Sequence, residues 1–515
     1  MDDVANEASQ SSDDTSAAAI GTDQTGQDDF DAVKVTQTLQ EQLQLLESYT
    51  DESKLLDTLV AINEVLTEFP GLTDQSDFEV SPENYDKLLQ LAFDAAVHVK
   101  VISVIKKYIT PDLKHDKLSS QQSCVLVEAF WILTNLASGT EKQTKLVTDA
   151  GVIPIVLATF MKSEQRFVFN HCIGLITNLV VVPQTRILVP VRSDLVEKSL
   201  KMLQRARTHA QECGPNTDSI EHVARILCFF STLLHAEVDV CSRLNQKVVH
   251  TACATLMEFG DSCTEILTGA IDVIYRASNV MPPYTFGPIL IANGYVPLIV
   301  KYMMNENLDV RADAIGIVGT LMMSPDDVTT SIMRSSVSNH VSHLLLTDEE
   351  TINQVAWMMS YAVAGTESMT NIVFDHNILP LVVSLLQSSC CDVVVNSLCV
   401  VNNLVNHMSD EQRWHLFEHD RHDVLSTVIP LLSAELCKQK PSERVTNLLF
   451  DMFMQILVCL MGFDRDVSDL YAMFKDEMEK DIYSQLDENF RYGTHRIVSF
   501  LKRLEQQNER KSFVM

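Results

Sequence analysis

Two tryptophans in this chain stand where they could hold another polypeptide. Trp131 precedes Asn135 by four residues, and Trp357 precedes Tyr361 by the same step. Residues four apart share one face of a helix. An asparagine so placed can offer its carboxamide to both the C=O and the N–H of an extended peptide. The indole one turn away can support the aliphatic stem and cation of a lysine or arginine. The same residues have a plainer use: the indoles can seal seams between helices, while Asn135 and Asn178 bond neighbouring backbone.

The elements that must carry these side chains recur. Residues 127–154 (VEAFWILTNLASGTEKQTKLVTDAGVIP) set a register in which Asn178, Ser231, Tyr275, Thr320, Tyr361 and Asn403 fall successively at the Asn135 position, at intervals of 43, 53, 44, 45, 41 and 42 residues. The Gly-Val-Ile-Pro turn returns as Asn293-Gly-Tyr-Val-Pro297 and His376-Asn-Ile-Leu-Pro380. A helical period of roughly 40 to 47 residues is the signature of stacked armadillo or HEAT units. The expected fold is therefore all-α, an armadillo/HEAT-type right-handed α-solenoid of about 8 to 10 repeats.

Composition narrows the partners. The 515 residues are 46% apolar with 16 Gly and 15 Pro, enough to bury a large core in one elongated array. Lys plus Arg number 39 against 69 Asp plus Glu, a net charge of -30 that disfavours nucleic acid and anionic membrane and favours proteins with basic extended segments. The 12 cysteines include no C-x-x-C pair, which fits reduced thiols. Apolar runs such as 173–191 and 448–463 are interrupted by Arg186 and Asp451, so no membrane span is expected.

Residues 1–31 contain nine acidic and no basic residues and read as a disordered acidic tail. Val35, Leu39, Leu43, Leu46, Leu55, Leu59, Ile62 and Leu66 then fall at helical spacing, giving an N-terminal helical cap over 32–84. The repeat array is assigned to 85–435, C-terminal capping helices to 436–507 and a flexible tail to 508–515. The long 53-residue interval holds 205–219 (RARTHAQECGPNTDS), read as a polar loop inserted outside the stack.

From Trp131 to Pro154 the chain resembles the second armadillo repeat of the importin-α (karyopherin-α) family of nuclear import adaptors. Residues 353–386 (NQVAWMMSYAVAGTESMTNIVFDHNILPLVVSLL) resemble a later repeat, and 397–405 (SLCVVNNLV) the helix of the next. The resemblance implies a non-catalytic adaptor without cofactors, cytoplasmic and nuclear. Its concave groove would hold a basic, nuclear localisation signal-like segment of cargo for nuclear protein import. Trp131, Asn135, Gly139, Thr144, Asn178, Trp357, Tyr361 and Asn403 occupy the family's peptide-binding positions.

Other positions depart from the family. Gly174 and Cys399 replace tryptophans, Val182 stands where the family pairs an acid with the principal cargo lysine, and Asn396 replaces a glutamate. Losing one such charge-assisted contact removes roughly 1.5–3 kcal/mol. The family's basic N-terminal helix, which recruits an importin-β-type carrier, has no counterpart before Lys34. A second reading follows: an importin-α-derived armadillo scaffold that has lost signal binding and holds a structural or assembly partner.

Two other constellations invite chemistry. Residues 414–422 (WHLFEHDRH) place His415, His419 and His422 at spacings compatible with Zn²⁺, although a polar outer helix bearing imidazoles explains them better. The acidic groups Asp326-Asp327 and Asp348-Glu349-Glu350 read as helix caps. The Met303-Met304, Met322-Met323 and Met358-Met359 pairs read as adaptable core filling. No phosphate-cradling or nucleophile-elbow motif is present, so no enzyme activity is expected.

Overall fold

Ser119, Thr140, Asn307 and Asp348 each cap the start of a helix with their side chains. The computed structural model describes residues 32–68, 82–109, 118–189, 193–214, 217–236, 242–365 and 367–409, with scattered positions as far as Met452. The acidic tail, the histidines at 415, 419 and 422, and the C-terminal capping segment lie outside the described residues. The chain divides into two compact units, the first running to residue 152 and the second from residue 153.

The first unit contains α1 (Ala32–Ser48), α2 (Glu52–Glu68), α3 (Pro82–Asp94), α4 (Val97–Tyr108), α5 (Ser120–Leu136) and α6 (Glu141–Asp149). Ser119 caps α5 and Thr140 caps α6, each in a reciprocal capping box with a glutamine at the third helical position. The eight apolar residues from Val35 to Leu66 named above are all buried between α1, α2 and their neighbours. α2 packs lengthwise on α5, and Gln122 donates to Glu52 at 2.8 Å across that seam. The segment read as a cap therefore includes a partner for the first register helix.

The second unit starts with α7 (Val152–Lys162), α8 (Arg166–Val181), α9 (Pro183–Arg186), α10 (Ser193–Cys213) and α11 (Thr217–His235). It continues through α12 (Ser242–Phe259), α13 (Thr264–Val280), α14 (Pro283–Ala292), α15 (Val296–Tyr302) and α16 (Leu308–Leu321). Then come α17 (Asp326–Ile332), a π-helical turn (Met333–Val337), α18 (Ser338–Leu344), α19 (Glu349–Ala362), α20 (Glu367–Asp375), α21 (Ile378–Leu385) and α22 (Cys391–His407). The long helices α8, α11, α13, α16, α19 and α22 pack side by side in that order, with α10, α12, α15, α18 and α21 each against one of them. Among the described residues there is no strand; the fold is an all-α armadillo-type solenoid.

The recurring turn has one backbone requirement. Gly151, Gly294 and Asn377 occupy its equivalent positions with φ of 85°, 70° and 52°. That left-handed region is open to glycine and next best to asparagine. Asp348 caps α19 by accepting from the Thr351 backbone N–H at 2.9 Å, and this bond holds its carboxyl below the usual range, as the capping reading of 348–350 expects.

Two expectations need correction. Residues 205–213 are not a loop but the last turns of α10, and Arg207 there is only 6% exposed, its guanidinium bridging to Glu258 of α12 at 3.0 and 2.5 Å. The extra residues lengthen a helix rather than leave the stack. Of the methionine pairs, Met304 and Met323 are exposed because each stands in the turn after its helix.

Candidate peptide-binding face

In the first unit Trp131 is 39% exposed on α5, and Asn135 lies half-buried one turn on. The Asn135 carboxamide donates to Asn63 Oδ1 of α2 at 3.1 Å, and Asn63 in turn donates to Glu128 Oε2 at 3.1 Å. Glu128, Trp131 and Asn135 are spaced three and seven residues along one face of α5. Burial pushes the Glu128 carboxyl up, the Asn63 hydrogen bond opposes this, and the neighbouring Glu64 charge adds to it. A cation over the Trp131 face would relieve that carboxylate, because opposite charge favours the ionised form.

Gly139 and Thr144 do not join this face. Thr144 is fully buried, its hydroxyl donating to the Ala137 and Thr140 carbonyls at 3.0 and 3.2 Å. A Cβ at Gly139 would lie 2.1 Å from Gln143 Oε1 and 2.7 Å from Leu89 Cδ1, so this glycine serves helix packing. In the structure both positions support the fold.

In the second unit Asn178 and Gly174 are half-buried on α8. Val182, where an acid would read a lysine, is 7% exposed and ends the helix. Beyond it, Arg186 donates through Nε to the Val180 carbonyl at 2.9 Å, through Nη2 to Val181 at 3.1 Å and through Nη1 to Ala236 at 3.0 Å. This end of α8 therefore presents a cation and an apolar wall. Val182→Asp is expected to lower stability by about 1–3 kcal/mol, the desolvation cost of a buried polar group, without tightening a basic peptide. A tenfold gain in affinity at unchanged urea midpoint would show that the side chain reaches solvent.

Farther along the layer Trp357 stands edge-on to Tyr361, ring centres 5.4 Å apart and planes at 73°. The Trp357 ring lies against Gly319 of α16, where a Cβ would sit 2.2 Å from the indole; Gly316 receives the Tyr275 ring in the same way at 2.5 Å. Two glycines three apart on α16 thus admit one aromatic ring from each neighbouring helix. Asn403 donates to the Ser360 carbonyl at 2.9 Å, and Asn396 donates to Asn353 Oδ1 at 2.8 Å. Tyr361, 40% exposed, and half-buried Trp357 and Asn403 share this region with the neutral amide of Asn396.

Between these regions the register positions are Ser231, Tyr275 and Thr320, and their neighbours are charged. Ser231 donates to Asp272, which also accepts from Arg276 Nε at 2.9 Å. Burial first, then the Asp272 charge, pushes the Asp313 carboxyl up to about 7 against the opposing pull of Arg276. Glu128 and Asp313 both stand seven residues before an Asn135-type position, a spacing visible in the register itself. No cluster that could hold a metal occurs among the described residues.

Comparison with protein families finds no matching family. Among curated proteins, importin subunit alpha-1a of rice is 25% identical over 268 residues, covering 50% of this chain and 46% of that protein. Importin subunit alpha of Saccharomyces cerevisiae is 41% identical over 54 residues, 10% of each chain. The chain spans about half the length of the rice relative it matches. Among solved structures, an engineered protein superimposes with a TM-score of 0.63 at 14% identity over 90% of this chain, a likeness of fold alone. The fold defines an armadillo-repeat protein. Within that class the chain is a divergent importin-α-like one.

Proposed function

We propose that this protein is a non-catalytic binding protein that holds an extended segment of a partner protein along its layer of long helices. The observation that carries the reading is the recurrence, in one register, of accessible aromatic rings with amides beside them: Trp131 with Asn135 in the first unit, and Trp357 and Tyr361 with Asn403 in the second. Such pairs bind a backbone by hydrogen bonds and a side-chain stem by its length. The excess of 30 negative charges favours a basic segment, as in a nuclear localisation signal. On this reading the protein works as an import adaptor between cytoplasm and nucleus.

A second reading, a scaffold that no longer binds import signals, is favoured by one region: buried Val182 beside the Arg186 guanidinium. One titration separates the two. Trp131→Ala with Asn135→Ala is expected to weaken a fluorescein-labelled lysine/arginine peptide at least tenfold, about 1.4 kcal/mol, with little change in melting temperature. Binding should also weaken with added salt. Absence of wild-type binding at low salt and near-millimolar protein would favour the scaffold; unfolding of the double variant would make Trp131 and Asn135 structural.

A further inference from the structure

The carboxylates missing from the family's lysine-reading positions reappear elsewhere in the second unit. α11, α13 and α16 line an open cleft of about 740 Å³. The residues four before Ser231, Tyr275 and Thr320 are Leu227 and Ile271, both fully buried, and Gly316, none of which lines the cleft.

The lining is divided. Ala224 of α11, Gly269 of α13 and Ala312 of α16 give a small-residue wall. Glu265 and Asp272 of α13 and Asp309 and Asp313 of α16 supply four carboxylates against the single guanidinium of Arg276. That guanidinium is engaged, donating to Asp272 at 2.9 Å and meeting His235 Nδ1 at 2.8 Å. Asp272 is held by Arg276 and Ser231, whereas Asp313 is the most desolvated of the four and lacks a cation in direct contact.

We propose that this cleft takes the cationic side chain of a lysine or arginine on the extended partner segment, its stem against the small residues and its charge between Asp272 and Asp313. The proposal rests on the peptide-binding reading and moves the charge-reading position from Val182 at the end of α8 and Asn396 on α22 to the face of α13 and α16. A bound cation would favour the ionised form of Asp313, so binding should release a proton and strengthen from pH 6 to pH 8. The titratable and charged groups that line the cleft with Asp313 are Cys228 from α11, Glu265, Asp272 and Arg276 from α13, and Asp309 on its own helix, and His235 of α11 meets Arg276. Substitution of Asp313 isolates its share of this pH dependence.

The test uses the full chain and the same labelled lysine/arginine peptide, followed by anisotropy at low salt. Asp272→Asn with Asp313→Asn should weaken it at least tenfold, and Asp313→Asn alone should abolish most of the rise from pH 6 to pH 8. Glu349→Gln with Glu350→Gln, which removes the same charge from the start of α19, should change binding less than twofold. Circular dichroism confirms that each variant is folded. If Trp131→Ala with Asn135→Ala weakens the peptide while the aspartate pair does not, the cleft proposal is wrong and the binding reading stands. Equal loss from both acidic pairs would also overturn it, as a general field effect; no wild-type binding would overturn both.

Discussion

Taking the protein from pH 7 to pH 4.5 is expected to destabilise the second unit by roughly 2–4 kcal/mol, through two histidines packed between α8 and α11. Burial lowers His171 to about 4, with the Arg225 charge assisting and Glu221 opposing; burial also lowers His222 to about 4, assisted by Arg166. His222 meets Asn170 Oδ1 through Nδ1, which fixes the proton there in the neutral ring, and packs edge-on to Phe169 at 5.7 Å. An imidazole with a lower pKa folded than unfolded binds fewer protons in the native state. Its stabilising contribution is therefore complete above about pH 6.5 and is lost as the pH falls toward 4, by up to about 3 kcal/mol for each ring.

Asp313 acts in the opposite direction. Its carboxyl, raised to about 7, is protonated natively and ionised in the unfolded chain between pH 4 and 7, so acid relieves its burial cost. Part of that group is solvated, which reduces its weight, and two rings outweigh one carboxyl. Urea midpoints at pH 7 and pH 4.5 measure the difference. His171→Gln with His222→Gln should flatten the acid limb, while Asp313→Asn should steepen it. An acid limb unchanged in the histidine variant would mean that both rings remain neutral through the transition or find a native counter-charge.

Much of the fold was legible because it is written in period. The 41- to 53-residue register places each Asn135-type residue on a long helix, α5, α8, α11, α13, α16, α19 or α22. The Gly151, Gly294 and Asn377 turns were legible for the same reason, since a left-handed residue is needed each time. The end of α10 was not. Its outer face is so polar that 205–213 has the composition of a loop, and only the Arg207 to Glu258 bridge, 51 residues apart, reveals the helix.

The site was legible only as far as local spacing reaches. Trp131 and Asn135 are read from one turn of helix, but Asn63 lies 72 residues earlier and meets Asn135 only when α2 packs on α5. Thr144 matched by position and is buried, because its hydroxyl closes the turn from α5 to α6. The Asp272 and Asp313 cleft needs three helices at once; each acid alone resembles any other on a strongly acidic chain.

Arg186→Met should lower stability by about 2–4 kcal/mol, because one guanidinium satisfies three main-chain carbonyls that no other side chain is shown to reach. Two are the last carbonyls of α8, from Val180 and Val181, and the third, from Ala236, follows α11. Each charge-assisted bond contributes about 1.5–3 kcal/mol when buried. Arg186 is half-buried, so water recovers part of the loss. Methionine keeps much of the stem's packing and removes only the donors. Arg186→Lys should recover less than half, since one ammonium lacks the planar fork that spans three acceptors. Chemical denaturation gives both values, and a change below about 0.5 kcal/mol for methionine, the level of ordinary surface substitutions, would show that solvent satisfies the carbonyls equally well. If the folded variant then binds the basic peptide more tightly, the positive charge at the end of α8 was repelling it, and the loss of signal reading there is electrostatic as well as steric.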